Sequence, residues 1–234
     1  MFYREWEPFY KKIIRDLNLC VQEDIEASDV LNNLLKQKNN LYPLEKLEDL
    51  ISDNEVFIFG AGPSLTKSIS LFKEKFEKKL KIAADGATTA LMDNNILPDI
   101  IVTDLDGKVS DQLRANKLGS VVIAHAHGDN INNIKKFIPH FKVNIIGSTQ
   151  VDPRSFDSIY NFGGFTDGDR AVFLSDHFKA KKISLIGFDF NANIGRYSFP
   201  DKKNKNLKIK KLKVCQNLIE KLKEKNNEIY FLHP

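Results

Sequence analysis

Carboxylates follow hydrophobic runs at three turns in the middle of the chain. They are Asp85 in KIAADGATTA, Asp104 and Asp106 in PDIIVTDLDG, and Asp129 in VVIAHAHGDN. Asp104 and Asp106 are two apart. At an extended strand end, alternate side chains share one side, with Leu105 turned the other way. Two carboxylates on one side, joined by others from neighbouring strand ends, make a hard oxygen cage of the kind Mg²⁺ requires. Carboxylate-held magnesium usually serves a phosphate-bearing substrate. The expected chemistry is metal-assisted phosphoryl or diphosphoryl transfer, with Asp85, Asp104, Asp106 and Asp129 as ligands. A lone aspartate after a strand is more often a cap or turn residue, so the expectation rests on the set.

Other motifs surround this set. GAGPS, Gly60 to Ser64, follows a strand-like run and opens a helical one. Its glycines permit a tight turn and Pro63 suits a first helical turn, so it reads as a phosphate-binding turn or a structural one. A dinucleotide fingerprint would need glycine at position 65, where Leu65 stands, which argues against a nicotinamide cofactor. In HAHGDN, His125 and His127 lack a third zinc ligand, and Asp129 and Asn130 offer oxygens to a metal or its water. FGGFTDGDRA carries Gly163, Gly164 and Gly168. Thr166 and Asp169 are spaced as a capping box, and Arg170 or Arg154 could clamp a phosphate. Asp189 in IGFDF follows another strand-like run and could recognise a polar ring.

These turns need a frame. From residue 51 the chain alternates strand and helix. Strand-like runs lie at 56–60, 81–84, 99–103, 120–124, 142–147, 158–162, 182–187 and 228–232, with helical segments near 64–78, 86–95, 130–140, 167–180 and 207–224. The runs are mostly continuously apolar, as in strands buried on both faces of a parallel sheet. This predicts an α/β fold with a largely parallel, doubly wound sheet and a ligand crevice at the carboxyl ends of its strands. Residues 1–50 read as a separate helical unit beside a catalytic domain of residues 51–234. Trp6, Phe9, Tyr10, Ile13, Ile14 and Leu17 form one stripe, Ser28 reads as the cap of a second helix, and Pro43 closes the unit. It would cap the main domain or form a dimer contact, and it shows no ligand chemistry.

Composition narrows the class. The 234 residues are 42% hydrophobic and 28% charged, as in an ordinary soluble domain. No apolar run approaches the ~20 residues of a membrane span, and the N-terminus lacks a signal-peptide core. Cys20 and Cys215 fit no redox or metal spacing, so the expected compartment is the reducing cytoplasm. The net charge of +4 gives weak support for a nucleic-acid partner. Lysines 202, 203, 205, 208, 210, 211 and 213 crowd one stretch, read as a solvated loop and helix face or as a phosphate contact.

GAGPSL, ADGATTAL, PDIIVTDLDG, HAHGDN, GFTDGDRA and IGFDF, in this order over about residues 55–190, resemble the archaeal 6-hydroxymethyl-7,8-dihydropterin diphosphokinases, the MptE-like family. That family is similar in fold to thiamine pyrophosphokinases, whose later turn is richer in aspartate than HAHGDN. The resemblance implies Mg²⁺-dependent transfer of diphosphate from ATP to a pterin, with release of AMP, in tetrahydromethanopterin or folate-type cofactor synthesis. It implies a metal–ATP site at Asp85, Asp104, Asp106 and Asp129, with Asp104, Asp106 and Asp129 catalytic. Gly60, Gly62, Ser64, Asp85, Gly86 and Arg170 would meet ATP, and Gly164, Phe165, Thr166, Asp167 and Asp189 the pterin. Thiamine diphosphokinase and a non-catalytic nucleotide-binding module remain the alternatives.

Overall fold

A computed structural model describes residues 3–190, 194–198 and 205–234; Lys202 and Lys203 of the lysine run lie outside them. The chain opens with α1 (Tyr3–Leu17), α2 (Val21–Lys36) and α3 (Leu44–Ile51). On α1 the expected stripe buries Trp6, Tyr10 and Ile13. Two local expectations fail in α2 and α3. Ser28 lies inside α2, where its hydroxyl bonds the Asp24 carbonyl at 2.7 Å and Thr149 Oγ1 at 2.6 Å. A helix can begin at Val21 because Glu23 and Asp24 place negative charge at its N-terminal end. Pro43 caps the start of α3 instead of closing the unit; proline lacks an N–H that a first turn would leave unpaired anyway.

The remaining elements alternate: β1 (Glu55–Phe59), α4 (Leu65–Phe76), β2 (Leu80–Ala84), α5 (Ala87–Asp93), β3 (Ile100–Thr103), α6 (Val109–Lys117), β4 (Val121–Ala126), α7 (Ile131–Phe137), β5 (Ile145–Thr149), β6 (Ile159–Tyr160), α8 (Asp167–His177), β7 (Lys182–Ile186), α9 (Lys205–Lys225) and β8 (Ile229–Leu232). The strands form one sheet in the order β6-β5-β4-β3-β2-β1-β7-β8. Every described pair is parallel, with Ile58 opposite both Ile82 and Leu185 at the centre. The order reverses at β1, so the crevice beyond the β1 and β7 ends is a topological switch point.

Helices cover both faces, as the doubly wound expectation requires. Val56, Ile58, Ile82 and Ile183 point to one face and pack with residues of α1, α3, α8 and α9. Phe57, Phe59 and Ala83 point to the other and pack with α4 and α5, while Val122, Ala124 and Ile145 pack with α2 and α7. Residues of the N-terminal helices therefore share core clusters with the sheet. Helix α6 carries no apolar stripe for periodicity to mark, since its buried positions include Asp111, Gln112 and Asn116. β5 starts later than the apolar run suggests, since Asn144 turns into the left-handed region at φ 45°.

Trp6 ties α1 to this body. It is fully buried, donates its indole N–H to the Gln150 carbonyl at 3.0 Å and meets the Phe173 ring edge-on at 6.1 Å. Trp6→Ala is expected to cost on the order of 3–5 kcal/mol in urea unfolding; a loss below about 1 kcal/mol would show α1 to be a loosely docked appendage.

Candidate metal and phosphate site

The carboxylates converge by a turn and not by a pleat. β3 stops at Thr103, and Leu105 adopts φ 67° with its side chain buried. The Asp106 N–H turns back to Asp104 Oδ1 at 3.3 Å. An extended run would have aimed Asp104 and Asp106 the same way by alternation; here a left-handed residue between them folds both toward one point. Asp85 also has positive φ, at 40°. Non-glycine residues in this region cost free energy and concentrate at functional sites.

Asp85, at the end of β2, is held from three directions. Its Oδ1 accepts from Thr103 Oγ1 at 2.9 Å, Gln112 Nε2 at 2.8 Å and the Gly107 N–H at 3.3 Å. A Cβ at Gly107 would lie 2.3 Å from Asp85 Oδ2, so this glycine is demanded by the carboxylate beside it. Gly86, the next residue, caps α5. Thr103 and Gln112 carry no site motif in the sequence, and the glycine ending TDLDG is the only local signal for Gly107.

Asp104 is held by the HAHGDN loop. His127 Nε2 lies 3.1 Å from Asp104 Oδ2. Asn130 Nδ2 donates at 2.7 Å to the carbonyls of Asp104 and His125, and its Oδ1 accepts the His127 N–H at 3.1 Å. Asn130 thus staples the loop by hydrogen bonding. His125 is buried, with Nδ1 3.0 Å from Ser148 Oγ, beside a cavity of about 10 Å³. Desolvation first, then the Arg170 charge, lowers its pKa and favours the neutral imidazole.

The fourth carboxylate comes from α8. The Thr166–Asp169 capping box forms as its spacing suggests. Gly163 and Gly164 take φ 85° and 88°, and a Cβ on Gly164 would meet the Arg170 backbone at 2.6 Å. This tight start to α8 delivers Asp167 to the group, where Arg170 Nη1 donates to it at 2.9 Å. Asp85, Asp104, Asp106 and Asp167 each offer an oxygen within 4.8 Å of the others. Asp129 stands apart: its side chain is 65% exposed and 3.8 Å from Lys211 Nζ. The expected metal set thus gathers with Asp167 in place of Asp129, because β4 ends in a 3-10 turn that points Asp129 outward.

Other expected site residues fall into two neighbourhoods. At the switch point, Ser64 donates its N–H at 2.9 Å and its hydroxyl at 2.8 Å to Asp189 Oδ2. A Cβ on Gly62 would lie 2.3 Å from Asp189 Oδ2, and one on Gly60 would lie 2.8 Å from the Gly187 carbonyl. These glycines admit the chain's own β7 turn, and Asp189 occupies the α4 N-terminus as an anion would. Phe165 is buried in the core and presents no open ring face. Arg154 pairs with Asp152 on the surface, away from the carboxylate group. The described lysines of the basic run begin α9. Lys210 and Lys213 face solvent. Lys208 is half-buried and donates to the Ser198 carbonyl at 2.5 Å, and Lys211 lies 5.9 Å over the Phe165 ring.

The electrostatics follow from crowding. Burial, then the Asp104 charge, raises Asp85, and the same two causes raise Asp167. Desolvation and the like charges of Asp104, Asp85 and Asp167 raise Asp106, although solvent at this exposed residue screens part of the repulsion. For Asp104, burial alone would act upward, but the His127 hydrogen bond and charge and the Arg170 charge overcome it and hold its carboxyl well below the usual range. Lys208 is lowered by desolvation against the upward pull of Asp106, Asp85, Asp104 and Asp167. An all-oxygen donor set under mutual repulsion fits a hard divalent cation.

Fold and site define a parallel α/β protein with a carboxylate centre suited to a hard divalent metal ion. Residues 29–195 match the family described as 6-hydroxymethylpterin diphosphokinase MptE-like. Three curated proteins named 6-hydroxymethyl-7,8-dihydropterin pyrophosphokinase align along nearly their whole length. The Methanocaldococcus jannaschii protein is 47% identical, covering 99% of this chain and 100% of that one. The Pyrococcus furiosus protein is 41% identical over 95% of each chain, and the Methanothermobacter thermautotrophicus protein 40% over 96% of each. The chain belongs to this MptE-like family. Among solved structures, the MAf glycosyltransferase from Magnetospirillum magneticum AMB-1 superposes with a TM-score of 0.41 at 17% identity, covering 73% of this chain and 28% of that one, a likeness too loose to bear on function.

Raised carboxyls predict a pH signature. A carboxyl whose folded pKa lies above its unfolded value costs stability once both states are ionised, and costs nothing below the unfolded value. In chelator, Asp106→Asn should therefore melt a few degrees above the wild-type protein at pH 8. The gap should close as pH falls toward about 4, the ordinary carboxylate range. A variant that melts lower at pH 8 would contradict the repulsion.

Proposed function

We propose that this chain transfers diphosphate from ATP to the hydroxymethyl oxygen of 6-hydroxymethyl-7,8-dihydropterin, with release of AMP, in tetrahydromethanopterin or folate-type cofactor synthesis. The observation that carries the reading is the four-carboxylate group at the strand ends of a chain whose near full-length relatives bear that enzyme's name. Asp85, Asp104, Asp106 and Asp167 would hold Mg²⁺. Bound there, magnesium supplies charge neutralisation to the phosphates.

The chain's own groups do the rest. His127 and Asn130 fix Asp104, and Thr103, Gln112 and Gly107 fix Asp85, so the carboxylates need not reorganise when substrate arrives. Arg170 neutralises Asp167 and lies beside Asp104. Lys208 and Lys211 bring positive charge to the open side, where a triphosphate would enter. In the reaction the pterin oxygen bonds to the β-phosphorus, the bond from that phosphorus to the α–β bridging oxygen breaks, and AMP leaves with the bridging oxygen. The hydroxyl proton passes to a carboxylate on the solvent side; Asp106 and Asp129 are the two so placed. Positioning and charge stabilisation supply most of the rate in such transfers.

The direct test offers ATP with the pterin or with thiamine and follows AMP. AMP is expected with the pterin, and Asp104→Asn is expected to lower turnover by a factor of about 10³ or more, as loss of one pre-positioned charge can. Release of AMP with thiamine alone, or an Asp104→Asn enzyme of near wild-type rate, would refute the reading.

Lys208 gives an independent check. Lys208→Met should raise the Michaelis constant for ATP about tenfold, equivalent to about 1.4 kcal/mol, while the exposed Lys213→Met leaves it unchanged. Equal effects of the two would return the whole run to a solvated surface.

A further inference from the structure

Asp24, on α2, is a buried carboxylate far in sequence from every residue discussed as a ligand, and it is only 4% exposed. It accepts three hydrogen bonds: from Tyr10 Oη at 2.6 Å, Gln150 Nε2 at 2.7 Å and the Gly128 N–H at 2.8 Å. Burying a carboxylate is costly unless its oxygens are satisfied, and two of these three donors lead to the carboxylate group. Gly128 lies between His127 and Asn130, the residues that hold Asp104. A Cβ on Gly128 would lie 2.6 Å from Glu23 Cβ, so α2 abuts this loop closely. Gln150 turns its Oε1 to Arg170 Nη2 at 3.4 Å, and Arg170 holds Asp167.

Resting on the reading of the four carboxylates as a metal site, we propose that Asp24 is a positioning residue for that site. It acts on Asp104 through the His127–Asn130 loop and on Asp167 through Gln150 and Arg170. A carboxylate is required because the position is acceptor-only. An asparagine there can keep one oxygen toward Gly128, but its amide N–H then faces two donors. Gln150 relieves that conflict only by flipping its own amide, which turns an N–H toward Arg170. The N-terminal helices, which show no ligand chemistry in the sequence, thereby become part of the active centre.

The test titrates MnCl₂ into the metal-free full-length protein and follows the free ion by electron paramagnetic resonance, without substrate. Asp24→Asn is expected to weaken Mn²⁺ binding at least tenfold, and Gln150→Leu, which cuts one of the two routes, at least threefold. Phe76→Leu, a change in the α4–α5 core cluster, which shares no residue with the cluster that α2 joins, should lower the melting temperature without altering Mn²⁺ affinity. Wild-type affinity in a folded Asp24→Asn protein overturns the proposal, as does an equal loss in Phe76→Leu. If Asp24→Asn does not fold, wild-type affinity in Gln150→Leu overturns it. A wild-type protein that binds no Mn²⁺ removes the metal-site reading itself, and this proposal with it.

Discussion

Four carboxylates brought within 4.8 Å of one another set the terms for everything around them. Two unit charges at such a distance repel by about 3 kcal/mol at an effective dielectric of roughly 20. No local propensity favours this arrangement. It persists because the fold over-determines each member: left-handed turns at Asp85 and Leu105, three donors on Asp85, an imidazole on Asp104 and a guanidinium on Asp167. The repulsion that makes the group unfavourable would give a divalent cation bound there its driving force. It also places the site among the regions a protein keeps at the expense of stability.

The parallel sheet makes such over-determination possible. Its strand ends bring the turns after β2, β3 and β4 side by side, and α8 crosses back with Asp167 before the chain enters β7. Asp85, Asp104 and Asp106 sit on turns at the ends of buried strands, and Asp167 on the first turn of α8, so they inherit the rigidity of the core. The switch point holds a different device. There Asp189 binds the start of α4, and the glycines of GAGPS serve close packing against the β7 turn. With Asp189 bound there, the start of α4 is already occupied by the chain's own carboxylate.

Much of this was legible from the residues. Mostly continuous apolar runs marked the strands, since parallel strands buried on two faces carry that pattern, and the edge strands β6 and β8 carry it least. The aspartates of PDIIVTDLDG and KIAADG stood out because they ended such runs. What escaped was long-range or local against type. Helix α6 is polar at its buried positions, so periodicity was silent. Ser28 looked like a cap because serine usually is one, but tertiary partners retained it inside α2. Asp129, expected among the metal carboxylates, falls outside the group, and Asp167, expected at the pterin, falls within it, because a 3-10 turn after β4 and a double-glycine turn before α8 decide where those side chains point. Asp24 and Gln150 carried no motif at all; their importance lies in partners more than a hundred residues away in sequence.

The central claim is that these four side chains, and not the neighbouring HAHGDN aspartate, form the metal centre. Anomalous diffraction from crystals grown with MnCl₂ and a non-hydrolysable ATP analogue tests it most directly. The account predicts a manganese peak bounded by Asp85, Asp104, Asp106 and Asp167 with the triphosphate alongside. Manganese bound at Asp129 alone, or triphosphate lodged elsewhere with no metal among the four, would contradict it.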